Sequence, residues 1–391
     1  MSSSVIGEAR VAGPLSGIKV VEFAHTVMGP TTGMILADLG ADVIKVEPLE
    51  GDRTRRLSGF AAGFFGAFNR NKRSLAIDLK SSDGKAEVYD LVRGADVVVE
   101  NFAPGTMDRM GYGWDRLKEI NSRLIYCQLK GFLPGPYENR LALDEVVQYM
   151  SGLAYMTGLP GRPLRAGASV VDILGGTFGV IAIMAALRQR DETGAGQLVK
   201  SSLFEAASFL MTQHMAAEAV TGQPAPPMAA RVSAWAIYDT FKTSDDKICF
   251  IGITTDGIWE RFCKLIDRPD LLEDETLSTN EKRVEERGRI KDQIQSAISA
   301  LTLDEVVAKC DEYRIPCAAL KRPSDLFDDP HLNHSGLLEV ELPNGKSVKL
   351  PRLPLEVAGY DTSVRRNPPK CGEHTSEVLA EIKAVRAAAA E

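Results

Sequence analysis

At 391 residues, with 44% hydrophobic and 25% charged side chains, the chain has the composition of an ordinary globular protein with room for about two domains. A net charge of −7 and a pI near 5.5 argue against a nucleic-acid backbone as the main partner, because such binding requires a basic face. No apolar run reaches the roughly 18 to 20 residues that span a bilayer, and MSSSVIGEAR lacks the hydrophobic centre of a secretion signal, so a cytoplasmic protein with no membrane partner is expected.

From Gly17, GIKVVEFAHTVMGPTTGMILADLGADVIKVEP reads as strand, loop, helix and strand, which is a βαβ unit. Further strands at SLAIDL, ADVVVENF and RLIYCQLKGF alternate with helical stretches. The pattern predicts the α/β class: a large domain with a mostly parallel, Rossmann-like sheet covered by helices. Glu47 ends the second strand where the ribose-binding acid of a nicotinamide enzyme lies. The loop, however, supplies Gly29, Pro30 and Gly33 as G-P-x-x-G rather than G-x-G-x-x-G, so close approach to a pyrophosphate is not encoded.

Farther on, VVDILGGTFGV at 170–180 sets Asp172 in an apolar, glycine-lined run that continues as a long helix and closes at DETGAGQ. A buried ionised carboxylate is costly unless it caps a helix, joins an ion pair or reacts, and the spacing alone leaves all three readings open. A second helix follows in FEAASFLMTQHMAAEAV, after which the prolines of GQPAPPMAA mark a boundary. The domains read as 1–228, the large domain; 229–331, a smaller α+β domain; and 332–391, a segment returning to the large domain. The small domain holds a hairpin turning at Asp245 and Asp246, then amphipathic helices over 258–313. The last segment holds a hairpin at Asn344-Gly345 and a terminal helix, HTSEVLAEIKAVRAAAAE.

Cys127, Cys249, Cys263, Cys310, Cys317 and Cys371 form no C-x-x-C pair, so neither a disulfide framework nor a zinc module is expected. His331 and His334 stand three apart in DDPHLNHSG without other ligand types beside them and read as polar loop; no metal is expected.

GPTTGMILADLGADVIKVEP, RNKRSLAIDLK, VVVENFAPGTMDRMGYGW and the Asp172 run occur in an order and approximate spacing that resemble the class III CoA-transferases of the CaiB/BaiF type. The resemblance implies an interlocked homodimer with active sites between the domains, no tightly bound cofactor, a coenzyme A thioester as substrate, and Asp172 as covalent nucleophile. The residue suits the task, since a carboxylate of ordinary pKa near 4 is ionised at neutral pH and attacks a thioester without a general base. By the same resemblance Ile77 and Lys80 of AIDLK, Asn101 and Phe102 of ENF, and Arg109 of MDRMG contact CoA, with Lys72 and Arg73 nearby as candidate partners of its phosphates. Pro48 replaces a CoA-contacting arginine of formyl-CoA transferase, for which Arg53, Arg55 or Arg56 can substitute. The family's glycine-rich loop reads GITTDG at 252–257, a departure that argues against a mobile glycine lid. Gly175 and Gly176 are candidates for a backbone oxyanion site, with tight helix packing as the other reading.

Racemases of acyl-CoA share this fold and pair the Asp with a His, but ALDEVVQ has Leu143 at that position, which favours transfer. Asp144 stands where some transferases use an acid, and reads equally as a helix-start carboxylate. A non-catalytic acyl-CoA-binding protein on the same scaffold would not need a buried acid. LKGFLPGPYENRLALDEVVQYMSGLAYMTGLPGRPLRAGAS is similar to the branch handling short dicarboxylates. The expected activity is therefore CoA transfer from an acyl-CoA such as succinyl-CoA to a dicarboxylate or sulfinate analogue, the acid's distal anion being held by His25, Arg140 or Arg165. Intramolecular C1–C4 transfer on mesaconyl-CoA is the alternative.

Overall fold

Five aliphatic runs and one half-polar run build the main sheet. The computed structural model describes residues 13–231 and 233–390, so MSSSVIGEAR, on which the secretion-signal reading rests, lies outside the described residues. Strands β1 (Lys19–Phe23), β2 (Asp42–Glu47), β3 (Lys72–Ala76), β4 (Val97–Glu100), β5 (Ile125–Lys130) and β6 (Gln197–Ser202) lie in the order β3-β2-β1-β4-β5-β6. All five pairings are parallel. This is a doubly wound arrangement whose winding reverses between β1 and β4, the place where such sheets open a crevice at their carboxyl ends. The mostly parallel α/β expectation is met, and β6 was not foreseen: QLVKSS is an edge strand, fully buried only at Ser201 and Ser202.

Alternate residues of β1, β2, β4 and β5 serve two separate cores, as the period of two requires, and β3 joins the second through Leu75. Val20, Val43, Val97, Val99, Ile125 and Cys127 pack with the helices Met28–Asp38 and Val170–Thr193. Val21, Ile44, Leu75, Val98 and Tyr126 pack with the helices Ser82–Arg93 and Thr375–Ala390. The Val170–Thr193 helix is, by length and composition, apolar enough to cross a membrane, which corrects the sequence reading of no such run. Here it is a core helix. A Cβ on Gly175 would meet Met28 Cε at 2.6 Å, and one on Gly176 would meet the Met28 carbonyl oxygen at 2.6 Å, so these glycines exist to let two helices touch.

Beneath the same helices lies a buried charge network. Glu22 on β1 pairs with Lys72 Nζ at 2.7 Å and Lys45 Nζ at 3.3 Å, and all three side chains are fully buried. Lys72 also donates to the Pro30 carbonyl and Asn69 Oδ1, while Lys45 donates to the Ala24 carbonyl and pairs with Asp52 at 3.0 Å. Burial pushes the Lys72 ammonium down to about 8 against the pull of Glu22. The glycine of G-P-x-x-G has its reason here, because a Cβ on Gly33 would lie 1.7 Å from Glu22 Oε2.

The chain forms two compact units, one from the segments up to Ala230 and from His331 onward, the other Arg231–Pro330. In the first, Arg73 joins the terminal helix to the sheet through Glu377 at 2.9 Å, Glu381 at 2.7 Å and Asp42 at 2.5 Å. The hairpin of β7 (Ile237–Lys242) and β8 (Ile248–Ile253) belongs to the second unit, where β9 (Cys317–Ala319) adds an antiparallel edge that the sequence did not announce. Helices Asp256–Leu265, Arg287–Ile298 and Leu303–Glu312 close over it through Phe262, Ile294 and Val306. Strands β10 (Leu337–Glu341) and β11 (Ser347–Pro351) form the foreseen Asn344-Gly345 hairpin, with Gly345 at φ +80°.

Replacing Gly33 by Ala drives a methyl into Glu22 and disturbs two buried ion pairs at once. The substitution is expected to lower the unfolding free energy by about 2 to 4 kcal/mol in urea denaturation; a change below about 0.5 kcal/mol, the surface-substitution range, would show that the carboxylate moves aside freely.

Candidate active site

The loops that leave the carboxyl ends of β1, β4 and β5 enclose a cavity of about 220 Å³ at the point where the winding reverses. His25, Asn101, Phe102, Arg140, Asp144 and Asp172 line it, together with the apolar side chains of Met28, Leu129, Leu141 and Leu143. Leu141 and Leu143 are 80% and 71% exposed, so this rim presents hydrocarbon to whatever enters.

His25 is held with care. Asn101 accepts the His25 backbone N–H at 3.0 Å and returns a bond from Nδ2 to its carbonyl at 2.9 Å. The imidazole stacks on Phe102 with centroids 5.5 Å apart, and Nδ1 lies 2.7 Å from Thr26 Oγ1. Thr26 has φ +66°, uncommon for a β-branched residue, and its N–H is caught by Thr54 Oγ1 at 2.8 Å. Thr54 hangs from Asp52, and Asp52 from Lys45, so the charge network reaches the cavity wall. Burial holds the His25 imidazole below its ordinary pKa, so at neutral pH it offers one N–H rather than a full charge.

Asp172 is the third residue of the Val170–Thr193 helix, whose N-cap, Ser169, makes no side-chain capping bond. The cap comes from elsewhere: Asp144 Oδ2 accepts the N–H groups of Val171 at 2.9 Å and Asp172 at 3.1 Å. Asp172 is thus not the cap, and among the described residues its carboxylate makes no ion pair. Burial, then the charge of Asp144, pushes its carboxyl up to about 7. This corrects the expectation of an ordinary carboxylate fully ionised well below neutrality.

Several other expectations change. Lys72 is fully buried against Glu22 and Arg73 is tied up by Asp42, Glu377 and Glu381, so neither presents its charge to a CoA phosphate. The Ile77 side chain belongs to the core and has only backbone to offer. Gly175 and Gly176 lie beyond the first helical turn, where their N–H groups bond within the helix, so they are no oxyanion site; their carbonyls accept Ser201 Oγ and Thr32 Oγ1 instead. Arg165 does not line the cavity; Glu145 binds it at 2.6 Å. Of the Pro48 substitutes, Arg55 is locked onto Glu47, while Arg53 and Arg56 are exposed, Arg56 donating to the Glu50 carbonyl at 2.7 Å. GITTDG spans the end of β8 and the start of the Asp256–Leu265 helix, which Thr255 caps.

The remaining candidates stay in reach. Asn101 and Phe102 line the cavity, Lys80 and Arg109 are exposed on segments that follow β3 and β4, and Arg109 donates to Thr106 Oγ1 at 2.9 Å. Arg140 lies over the Tyr137 ring, 4.9 Å from its centroid. Lys130, not singled out from the sequence, reaches the wall but is already bound by Glu100 at 2.5 Å and the Phe102 carbonyl at 2.7 Å. His331 and His334 take part in no metal-type cluster among the described residues.

Comparison with known proteins identifies the family. The chain is 33% identical to a succinate–glutarate CoA-transferase of Agrobacterium fabrum, with 95% of this chain and 96% of that protein aligned. It is 31% identical to the beta subunit of a succinyl-CoA–L-malate CoA-transferase of Chloroflexus aurantiacus, over 94% of each. The crystal structure of a CaiB/BaiF family protein from Brucella suis superposes with a TM-score of 0.84 at 34% identity, covering 95% of this chain and all of that one. The sequence model of CoA-transferase family III matches residues 15–375, and the chain belongs to that family of transferases.

Proposed function

We propose that the protein moves CoA from succinyl-CoA to a short dicarboxylic acid, with Asp172 as the covalent nucleophile. The observation that carries the reading is a half-buried carboxylate, neither cap nor ion-pair member, at the wall of an apolar cavity whose rim also bears Arg140. Relatives named for succinate, glutarate and malate support the substrate class.

In this reading the ionised Asp172 attacks the thioester carbonyl, the C–S bond breaks and CoA leaves as thiolate, giving a mixed anhydride. The thiolate adds to the aspartyl carbonyl, the donor acid departs as carboxylate, and an aspartyl-CoA thioester remains. The acceptor carboxylate repeats these steps in reverse, so no proton or electron is consumed. Met28, Leu129 and Phe102 keep water from the activated intermediates. Lys80, Arg109 and Arg53 are exposed cations open to the CoA phosphates, and Asn101 and Phe102 border the thioester path. Arg140 takes the distal carboxylate of the acid, with the neutral His25 as a hydrogen-bond donor beside it. The chain acts as a homodimer, a reading supported by Ile173, Ile181 and Met184 of the Asp172 helix, which stay 38%, 55% and 44% exposed on one chain.

Asp172→Ala and Asp172→Asn are expected to abolish transfer in folded protein and to form no acyl adduct by mass spectrometry; turnover above a few per cent would defeat the mechanism. Stability carries the complementary sign. Unfolded, Asp172 releases its proton near pH 4, whereas folded it keeps the proton to about 7. Wild-type stability therefore falls as pH rises between these values and stays reduced above them. Asp172→Asn, free of this penalty, is expected to melt higher than wild type at pH 8 and equally at pH 4. Equal melting at both would show that the folded protein does not resist ionising Asp172.

For the acids, succinate, glutarate and malate are expected to exceed butyrate by about a hundredfold in kcat/KM with succinyl-CoA as donor, and Arg140→Ala to erase most of that preference. Butyrate performing equally in wild type would remove the diacid reading and leave Asp172 untouched.

A further inference from the structure

The structure assigns to Asp144 the part of a positioning residue that both anchors the first turn of the Asp172 helix and holds a fixed negative charge against the nucleophile, making it more reactive. The assignment rests on Asp172 being the nucleophile.

A helix begins with N–H groups that have no partner within it, and here the usual cap is idle. Asp144, 27 and 28 residues upstream, accepts two of these groups on one oxygen. Its other oxygen accepts Gln148 Nε2 at 2.6 Å, and Gln148 Oε1 accepts the Ala166 N–H at 2.8 Å, so the carboxylate is braced from both sides. Asp144 is 8% exposed and Gln148 fully buried. With both oxygens occupied by N–H donors, Asp144 is badly placed to take a proton from water or substrate, which separates its part from that of a general base.

The charged and titratable groups around the pair do not cancel this negative charge. Lys130 is neutralised by Glu100, Glu145 on the Asp144 helix is paired with Arg165, and His25 is held neutral by burial. Arg140 stands at the cavity rim over Tyr137. Two carboxylates lining one poorly solvated cavity repel, and the repulsion ends when one becomes an anhydride or a thioester, because acylation removes the charge of Asp172. Asp144 therefore raises the energy of the free nucleophile relative to both covalent intermediates, an effect realised along the reaction rather than in binding. Burial and this neighbour together account for the displaced carboxyl of Asp172.

The test follows the rate of acyl-adduct formation on Asp172 against pH, using succinyl-CoA, chemical quench and peptide mass spectrometry. Wild type is expected to show an acid limb near pH 7. Asp144→Asn is expected to move the limb down by about one pH unit and to slow adduct formation at pH 8 by about tenfold, with little change in KM. Asp144→Glu, which keeps the charge, is expected to restore the position of the limb. A lowered melting temperature with the limb unmoved in Asp144→Asn would reduce Asp144 to a structural cap and overturn the inference. Should Asp144→Asn not fold, carboxyl carbon NMR of the wild type decides: the Asp144 resonance should shift with the midpoint of Asp172, and a resonance that ignores that midpoint overturns the coupling. Absence of any adduct on Asp172 in the wild type would instead reject the nucleophile itself, an outcome distinct from an adduct whose pH profile ignores Asp144.

Discussion

A carboxylate shared by two buried ammonium groups governs the amino-terminal half of this fold. Glu22, Lys45 and Lys72 sit on three adjacent strands with no solvent contact; removing Glu22 would strand Lys72, and removing Lys45 would strand Asp52, in a medium where an unpaired ion costs several kcal/mol. The network is directional as well as costly. Lys45 holds the Ala24 carbonyl on one side of His25, and acts through Asp52 and Thr54 on the Thr26 N–H on the other. The strained Thr26 backbone is thus over-determined from below, and the cavity wall inherits a geometry set in the sheet.

The opposite wall is fixed by different means. The Asp172 helix lies close to the Met28–Asp38 helix because glycines face Met28 and Thr31, and its first turn is pinned by a carboxylate from another element. One wall relies on ionic bonds and the other on steric contact and amide capture. Between them the cavity contains few charges of its own, so each that is present acts at short range with little screening.

Much of this was legible in the sequence because parallel strands covered on both faces must be nearly continuous aliphatic runs, and KVVEF, DVIKVE and VVVE are such runs. Asp172 stood out for the same reason, a lone acid among aliphatic and glycine residues. Lys72 and Arg73 were misread as reachable cations, since lysine and arginine are usually at the surface; the overlooked signal was Glu22 and Lys45, opposite charges flanked by aliphatic residues inside buried strands. Strand β6 escaped because an edge strand carrying Lys200 lacks the aliphatic run. The grip of Asp144 on the Asp172 helix escaped because nothing local announces a cap supplied from 28 residues away. The displacement of the Asp172 carboxyl is invisible in principle to spacing, being a property of burial and a tertiary neighbour.

The larger unit draws on segments before and after the second unit, and this gives its assembly a direction in time. Arg73 reaches Glu377 and Glu381 across 304 and 308 positions, and Asp38 and Asn71 are held by Tyr360, Ser363 and Arg365 from the same late segment. During synthesis β1 to β6 emerge with one face of β3 still waiting for the Thr375–Ala390 helix, about three hundred positions later in the chain. The second unit, whose core lies wholly within Arg231–Pro330, is complete before that helix leaves the ribosome. The nascent sheet therefore waits through the translation of the whole second unit with Leu75 and Ile77 incompletely covered, the interval in which a chaperone has most to protect.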